Sequence, residues 1–255
     1  MTIIIDADAA TLAGLQIDLL QKIRAGHITP AHLAWFNGLT KKARDELALT
    51  KVAQAIKNIL EFVGTVVISA TGTFVAREKF VVDTSREAKV KIRSLGPNFK
   101  NWFLAGEGVV EDQIGEQVLG IARLRKPSAD TPIIAELGGR ELATTGLTQV
   151  YSYMEQQKAE GVFYVPQAVI KLEGNRFSYT NKAGETITEE VANPEHLFEM
   201  NGKWYVLRAV NVYWYDVGWN VDASSVEDPR AWGDVNRVFS RNSVLESSAT
   251  VSAQV

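Results

Sequence analysis

Apolar and polar side chains alternate along residues 204–224, and this alternation constrains the fold more than any other feature of the sequence. Because successive side chains of a strand point to opposite faces of its sheet, a period of two predicts one buried and one displayed face. The pattern breaks at residues 216–218 and resumes in the opposite phase, which predicts two strands joined by a short turn. The inward positions are Trp204, Val206, Val210, Val212, Trp214, Trp219, Val221 and Ala223, with Arg208 as the exception, and the displayed positions are Asn211, Tyr213, Tyr215, Asn220, Asp222 and Ser224.

The composition limits how such strands can be stabilised. The chain has 255 residues, 46% of them hydrophobic, which is enough to build a substantial core, and it contains no cysteine. The absence of cysteine excludes disulfides, thiolate chemistry and cysteine-ligated metal centres, so packing alone must hold the fold. The formal net charge is −3 and the two signs are interspersed, which leaves no basic stripe for phosphates. We therefore expect no nucleic-acid partner.

No segment of the sequence predicts insertion into a membrane. The first ten residues contain one short apolar run, at residues 3–5, with no basic stretch before it and no long apolar stretch after it. No later segment approaches the roughly 20 apolar residues that a membrane-spanning helix requires. We expect a cytoplasmic protein with no membrane partner.

Residues 1–62 carry the periodicity of short helices. Apolar side chains recur at helical spacing over residues 11–24, and Gly26 follows as a C-terminal stop. Thr29 and Pro30 match the N-cap and the first position of a second helix. We predict a helical N-terminal unit that spans residues 1–62.

Beyond this unit the predicted elements are mixed. Residues 63–96 contain short β-branched and aromatic stretches that are typical of strands, and they form a predicted β-rich connector. Helical spacing returns at residues 114–121 and 147–157. We assign residues 97–243 to one ligand-binding domain and residues 244–255, rich in serine, alanine and valine, to a disordered tail. The predicted fold class is α+β.

The sequence contains no recognisable cofactor, metal or nucleophile motif. The three histidines, His27, His32 and His196, do not stand at the spacings that helical metal ligands use. Residues 106–108 lack the third glycine of a dinucleotide-binding loop, and no phosphate-binding Gly-Lys-Ser/Thr motif is present. We expect no catalytic residue, no cofactor and no metal ion.

A cluster of four carboxylates leaves an enzymatic alternative open. Glu107, Glu111, Asp112 and Glu116 could form the acid and base of a small-molecule hydrolase. The charged face of an amphipathic helix explains the same pattern at least as well.

The most distinctive motif of the chain comprises residues 219–227, Pro229, Trp232-Gly233 and residues 236–243. This motif resembles the C-terminus of variable proteins of diversity-generating retroelements. In that family a C-type-lectin-like domain, here expected to contain an antiparallel sheet, carries a binding face encoded by hypermutated codons. The resemblance implies a binding protein rather than an enzyme. Four earlier stretches resemble sequences of a group of uncharacterised bacterial proteins that share the terminal motif. These stretches are residues 80–84, 95–100, 136–139 and 162–165.

The resemblance also implies which residues would vary. Adenine-directed mutagenesis of asparagine-type codons can yield Asn, Tyr, Asp, Ser, Gly, Ala, Val and Arg, among others, but not Trp, Lys, Glu, Gln or Met. Trp214, Trp219, Trp232 and Glu227 fall outside that set, and the three tryptophans with Phe239 are the expected scaffold. The predicted ligand-binding residues all belong to the permitted set: Tyr213, Tyr215, Asp216, Asn220, Asp222, Ser224, Asp228, Arg230, Ala231, Asp234, Val235 and Asn236.

Two stretches depart from what the resemblance implies. Residues 167–203 do not match the family pattern and are interpreted as an insertion. Residues 193–195 read Asn-Pro-Glu, the reverse of the Glu-Pro-Asn order of calcium-dependent lectins, and residues 219–222 resemble their Trp-Asn-Asp motif only loosely. An oxygen-rich site there could hold calcium, but a solvated loop is the favoured interpretation.

We expect the displayed face to bind a protein or small-molecule ligand whose identity the sequence does not predict. Tyrosine suits that role because it supplies a large contact area at low entropic cost, and serine and asparagine add adaptable hydrogen bonds. Three alternatives stay open. The face could be an ordinary solvated strand surface, the chain could be the carboxylate-dependent hydrolase, or it could be a structural protein that self-associates through Tyr213 and Tyr215.

Overall fold

The structure is a computed structural model that describes residues 59–157, 159–234 and 236–241, together with Thr40. The chain divides into two units between residues 55 and 56, and the elements below belong to the second unit. Most of the predicted helical N-terminal unit and the whole predicted tail therefore lie outside the described residues.

The described residues form short helices and thirteen strands. None of these helices is long and apolar enough to cross a membrane. The helices are α1 (Ala76–Lys79), α2 (Pro97–Phe103), α3 (Asp130–Glu136), α4 (Arg140–Ala143) and α5 (Leu147–Gln156), with a 3₁₀ turn at Pro194–His196. The strands are β1 (Leu60–Ile68), β2 (Phe74–Val75), β3 (Ile92–Leu95), β4 (Val110–Glu111), β5 (Gln117–Leu124), β6 (Gly161–Ala168), β7 (Lys171–Glu173), β8 (Arg176–Thr180), β9 (Thr186–Glu190), β10 (Leu197–Met200), β11 (Lys203–Tyr215), β12 (Gly218–Ser225) and β13 (Arg237–Ser240).

The predicted fold class, an α+β protein with a helical unit and a C-type-lectin-like domain, is wrong. Strand makes up 44% and helix 19% of the described structure, so the fold is mostly β and is organised around one large mixed sheet. Residues 114–121 illustrate the error, because the predicted helix is largely replaced by β5. Both faces are buried in the middle of β5, at residues 119–122, and periodicity alone does not separate such a stretch from a buried helix.

The main sheet has the strand order β1-β5-β13-β6-β11-β12-β3, and β10 pairs with β11. Its neighbours are antiparallel except for the pairs β13–β6 and β12–β3. The strands β1 and β3 lie largely in the predicted connector, yet they pair with β5 and β12. The predicted boundary between residues 96 and 97 therefore falls inside one unit.

One face of the main sheet, called the α5 face here, packs against α1, α2 and α5. The predicted helix at α5 is confirmed, and its buried residues Leu147, Val150, Tyr153 and Met154 follow helical spacing. The ring of Tyr153 lies edge-on to Phe239 of β13, with 4.5 Å between the ring centroids. This apolar layer forms the larger core of the unit, and its burial is the main stabilising contribution.

The opposite face, called the α3 face, is divided in two. Over β5, β13 and β6 it is covered by α3 and α4, and Ile133 and Leu137 join Tyr164 and Val238 in a second buried cluster. Beyond Ala209 of β11, and along β12 and β3, this face contributes no residue to the buried apolar clusters of the described chain. We call this second part the polar half; it consists of Arg93, Ser94, Asn211, Tyr213, Tyr215, Asn220, Asp222 and Ser224.

The predicted insertion forms the three-stranded sheet β7-β8-β9 and the strand β10. Arg208 of β11, the exception to the apolar alternation, is buried beneath that sheet. Its guanidinium donates to Glu189 at 2.7 Å and lies 3.8 Å from the centroid of the Trp102 ring. The pairing with a carboxylate makes a buried arginine tolerable at an inward position. Trp204 was expected to be buried on the same side, but it lies at the start of β11 and is 40% exposed.

Candidate functional site

The hairpin formed by β11 and β12 sets the geometry of the polar half. Its turn contains Asp216 at a φ of 55°, a left-handed conformation that aspartate adopts more readily than most residues. The register pairs Asn211 with Asp222 and Tyr213 with Asn220. Because residues that are paired across strands share a face, these polar side chains lie next to one another.

The buried side of this hairpin is fixed by tryptophan. Trp219 is 1% exposed, and its indole N–H donates to the carbonyl oxygen of Met154 at 3.1 Å. Its ring meets Trp214 edge to face, with 5.7 Å between the ring centroids. The predicted inward phase of β12 is confirmed, since Val221 and Ala223 are also buried.

The loop after β12, residues 226–236, is called the C-terminal loop here, and Glu227 fixes its first end. The Glu227 carboxylate accepts hydrogen bonds from the backbone N–H groups of Ala192 and Asn193 at 2.8 and 2.7 Å. The same carboxylate lies 3.3 Å from Nδ1 of His196. One glutamate therefore ties the C-terminal loop to the turn before β10.

Trp232 fixes the second end of the C-terminal loop. Its backbone exchanges two hydrogen bonds with Ser128, at 2.9 and 3.2 Å. Its indole N–H donates to Oδ1 of Asp130, the first residue of α3, at 2.6 Å. The hydroxyl of Tyr164 donates to the same oxygen at 2.9 Å. The carboxyl of Asp130 thus joins the loop, α3 and the main sheet.

A cavity of about 300 Å³ opens between β12, the C-terminal loop and the first residues of α2 and α3. This volume is at the lower end of the range for small-molecule sites. Five of the predicted ligand-binding residues line it: Asp222, Ser224, Asp228, Arg230 and Ala231. The sequence placed these residues on a strand and on a loop, and the structure brings them together.

Asp130 is the most perturbed carboxyl in the cavity wall, with 1% of its surface exposed. Burial raises the pKa of Asp130 from its ordinary 3.8 to about 6. The hydrogen bonds from Trp232 and Tyr164 oppose the rise, and the Asp228 carboxylate adds to it. Burial also raises the pKa of Tyr164, so the phenol keeps its proton and serves as a donor.

An ion pair forms the outer rim of the cavity. The guanidinium of Arg230 donates to both carboxylate oxygens of Asp228, from Nη2 at 2.6 Å and from Nε at 3.0 Å. The Arg230 side chain is largely exposed, so this pair contributes little to stability. It does balance one negative charge at the rim with one positive charge.

The other predicted residues lie outside the cavity. Tyr213 and Tyr215 are 36% and 57% exposed on the polar half, and the Arg93 guanidinium lies 4.7 Å from the centroid of the Tyr215 ring. Asp216 is in the hairpin turn, and Asp234 and Asn236 follow Trp232 near the start of β13. Val235 lies outside the described residues.

Asn220 does not have the displayed position that the alternation predicts. It is only 7% exposed, and its side-chain oxygen accepts a hydrogen bond from the hydroxyl of Ser94. The cause is the parallel neighbour β3, which pairs with β12 and encloses the Asn220 side chain. A sequence pattern assigns a residue to a face of a strand, but it does not predict which strand lies beside it in the sheet.

A close approach of the backbone shapes the wall beside Asp222. A Cβ atom on Gly96 would lie 2.0 Å from Oδ1 of Asp222, so only glycine fits beside this carboxylate. The Gly96 N–H donates to the carbonyl oxygen of Val221 at 2.8 Å, and Oδ1 of Asp222 accepts from the N–H of Ala223 at 2.8 Å. These contacts hold the Asp222 carboxylate against the end of β3.

Five further cavity residues were not among the predicted ligand-binding residues: Asn98, Asp130, Asn211, Ala223 and Trp232. Asn98 follows the first residue of α2 and donates to the carbonyl oxygen of Ala223 at 3.0 Å. Pro97 and Pro132 signal helix starts in the sequence, but no local pattern indicates that both helices begin beside β12. Asn211 was predicted to be displayed, and its permitted residue type could have placed it in the site.

One of the four carboxylates of the hydrolase alternative, Glu111, has a structural role. Glu111 accepts hydrogen bonds from the backbone N–H groups of Leu147 and Thr148 at 2.7 and 2.8 Å, and so caps α5. The walls of the cavity beside β12 and of two other cavities in the described chain contain none of these four carboxylates.

The acidic stretch considered for calcium has a structural role. Asn193 caps the 3₁₀ turn by accepting a hydrogen bond from the N–H of Glu195 at 3.1 Å. Across the part of the chain that the structure describes, no group of three or more His, Asp or Glu side chains is arranged to hold a metal ion.

The site therefore presents fixed polar groups and a tryptophan ring in one cavity. Its frame is held behind β12 by Trp219 and at the two ends of the C-terminal loop by Glu227 and Trp232. Comparison of the chain with protein-family models, with curated proteins and with solved structures finds no match.

Proposed function

We propose that this chain is a ligand-binding protein whose binding surface consists of the polar half of the α3 face and the adjoining cavity. The resemblance of the C-terminal segment to variable proteins of diversity-generating retroelements supports a surface whose residues differ between copies while the fold is retained. On this proposal the chain acts in the cytoplasm and binds its target without catalysing a reaction on it.

One observation carries the proposal, namely how the two residue sets of the C-terminal segment divide. Three of the four named residues that adenine-directed mutagenesis cannot produce are anchors: Trp219 is buried, and Glu227 and Trp232 hold the two ends of the C-terminal loop. The cavity residues Asp222 and Asp228 belong to the set that such mutagenesis can produce. A frame of fixed anchors around replaceable side chains is what a diversified binding surface requires.

The energetics favour the same division. Side chains that are exposed and away from caps or strained turns usually change stability by about 0.5 kcal/mol or less when substituted. The strands that carry the polar half are held from behind by the α5-face cluster, which contains Val210, Val212 and Val221. Replacement of the displayed side chains leaves that support intact.

Of the three alternatives from the sequence, the hydrolase and self-association make different claims about particular residues. The hydrolase alternative uses Glu107, Glu111, Asp112 and Glu116, and of these Glu111 is already engaged as the cap of α5. Self-association depends on Tyr213 and Tyr215, which are exposed and able to meet a second copy. Measurement of the oligomeric state by analytical ultracentrifugation, before and after both tyrosines are changed to serine, tests that alternative directly.

A displayed combinatorial library tests the proposal. Tyr213, Asp222, Ser224, Asp228 and Arg230 are varied together among Asn, Tyr, Asp, Ser, Gly, Ala, Val and Arg, and selection is carried out against ubiquitin and serum albumin. We expect most library members to fold, because the anchors are unchanged, and we expect selection to yield members specific for each target.

A matched library varies the anchors Trp219, Glu227 and Trp232 with the same eight residue types, and most of its members should fail to fold. The proposal fails if the two libraries fold equally often, or if the folded members of the first library yield no binder to either target.

A further inference from the structure

We propose that the cavity binds an organic cation, the ammonium or guanidinium group of a lysine or arginine side chain of a partner, with the Asp130 carboxylate as its acceptor. This inference rests on the proposed function, since it names the chemical class that the binding surface favours. It assigns a ligand role to Asp130, which lies in α3, outside the segment that would vary.

The first argument is that acceptors are available in the cavity wall. The only described residues that donate to Asp130 are Tyr164 and Trp232, and both donate to Oδ1, which leaves Oδ2 able to accept from a ligand. The side-chain oxygen of Asn211 is buried in the same wall and has no hydrogen-bond donor among the described residues. Because a buried acceptor without a donor is costly, a ligand that brings N–H groups would be favoured at Oδ2 of Asp130, and the unpaired Asn211 oxygen makes the same wall richer in acceptors.

The second argument is charge. Three carboxylates line the cavity, those of Asp130, Asp222 and Asp228, and Arg230 is the one cationic residue among the lining residues. Arg230 is paired with Asp228, so the Asp130 and Asp222 carboxylates are not balanced by a positive side chain in the wall. Such a surplus attracts a cation and repels a carboxylate or phosphate ligand.

The third argument is the aromatic wall. Trp232 lines the cavity while its indole N–H is held by Asp130, which fixes the orientation of the ring. Arginine and lysine side chains bind tryptophan through cation–π contacts as well as through their apolar stems. A carboxylate and a tryptophan ring in one cavity are suited to a guanidinium or an alkylammonium group.

A bare metal ion fits the wall less well. The three aspartates do not form a group that could hold a metal ion, and such a group is absent throughout the described chain. An organic cation bridges more widely spaced acceptors because its N–H groups point in several directions.

Asp130 also differs in kind from the other carboxylates of the wall. Asp222 and Asp228 belong to the segment that would vary, whereas Asp130 is held by Tyr164 of β6 and by the anchor Trp232. Copies of this protein with different C-terminal segments would therefore share one buried acceptor. Their ligands would differ at the rim but would present a cationic group at this point.

The test is an NMR titration of the full-length, ¹⁵N-labelled chain with n-butylguanidinium, and with n-butylurea as a neutral molecule of the same shape. The indole N–H signal of Trp232 reports on the cavity, because that proton is bonded to Asp130. We expect n-butylguanidinium to shift this signal saturably, and n-butylurea to bind about tenfold more weakly or not at all.

Substitution separates Asp130 from general charge effects. Asp130→Asn retains an acceptor for Trp232 and Tyr164 but removes the charge, and it should weaken n-butylguanidinium binding by about tenfold or more. The matched control is Asp83→Asn, which removes one exposed carboxylate outside the cavity and keeps its hydrogen bond from the Ser85 N–H, and it should leave the affinity unchanged. If Asp130→Asn does not fold, Asp222→Asn replaces it, with an expected weakening of about threefold.

The inference is overturned if n-butylurea binds as tightly as n-butylguanidinium, if Asp130→Asn binds the cation as well as wild type does, or if Ca²⁺ alone saturates the Trp232 shift at lower concentration. These outcomes are distinct from failure of the proposed function. If the library yields specific binders but the wild-type chain does not bind n-butylguanidinium, only the proposed cation site is refuted. If the wild-type chain binds the cation but most library members do not fold, only the proposed variable surface is refuted.

Discussion

The two halves of the α3 face share one sheet and differ in what covers them. Over β5, β13 and β6, the helices α3 and α4 bury Tyr164 and Val238 in an apolar cluster. Along β12 and the end of β11, the same face displays polar side chains, and an open cavity lies beside them. The comparison shows that one sheet combines a half covered by helices with a half that is uncovered, and we propose that the side chains of the uncovered half can change without loss of the fold.

The polar half can tolerate exposure because the opposite side of the same strands is buried. Val210, Val212 and Trp219 lie in the α5-face cluster directly behind the polar side chains. Asp130 lies at the border between the halves: its backbone begins α3, while its carboxyl lines the cavity. Each half therefore makes different predictions about substitution.

The largest effect is expected behind the polar half. Trp219→Ala removes a buried ring that packs against Trp214 and Tyr153 and donates to Met154. Truncation of a buried aromatic residue typically costs about 3–5 kcal/mol, so the free energy of unfolding should fall by that amount. Chemical denaturation followed by circular dichroism measures the change.

The control for this prediction is Trp204→Ala, the same substitution at a tryptophan that is 40% exposed. It should cost about 1 kcal/mol or less. Equal costs for the two variants would mean that Trp219 is not buried in the core as described.

The next effect concerns Asp130 and depends on pH. The unfolded chain releases this proton near the ordinary pKa of 3.8, and the folded chain releases it only near 6, because burial raises the pKa. Between these values the folded state holds more protons, so the stability contributed by this group is present below about pH 4 and is lost as the pH rises through about 6. The loss amounts to about 3 kcal/mol.

Asp130→Asn isolates this contribution, since the amide does not ionise and still accepts from Trp232 and Tyr164. Asp228 is the neighbouring carboxylate that adds to the rise, and it is unchanged in the variant. We expect the variant to match wild type at about pH 4 and to be more stable by about 3 kcal/mol at about pH 8. A difference that is the same at both pH values, in urea denaturation curves, would contradict the raised pKa.

A smaller effect is expected at the contact of Gly96 with Asp222. Gly96→Ala places a methyl group on the Asp222 carboxylate, and such overpacking usually costs about 1–3 kcal/mol. In an Asp222→Ala background the same change should cost less than about 1 kcal/mol, because the obstructing group is gone. A double-mutant cycle of unfolding free energies measures the coupling, and strictly additive costs would exclude the contact.

Local patterns of the sequence were sufficient to predict parts of this unit. The period of two placed Trp219, Val221 and Ala223 in the core, and helical spacing identified α5. These predictions succeed because one face of each element is buried and the other is not. The pattern fails at β5, where both faces are buried in the middle of the strand and a helix was predicted instead.

The cavity could be predicted only in part, because it depends on contacts between distant segments. Residue types identified Asp222, Ser224 and Asp228 as displayed, and these residues do line it. Asp130 enters the wall through contacts with Tyr164 and Trp232, which lie 34 and 102 positions away in the chain. Likewise, Asn220 is flanked by β3, a parallel neighbour in the sheet that no local pattern near residue 220 indicates.

The central claim is that the polar half tolerates substitution because its support lies on the other side of the strands. The most direct measurement is the free energy of unfolding of one variant that carries Tyr213→Ser, Tyr215→Asn, Asp222→Asn and Ser224→Ala. We predict a cooperative transition and a total loss of about 2 kcal/mol or less, as expected for the sum of four surface changes. A loss of about 4 kcal/mol or more, or a transition that is no longer cooperative, would show that these side chains hold the fold and would contradict the claim.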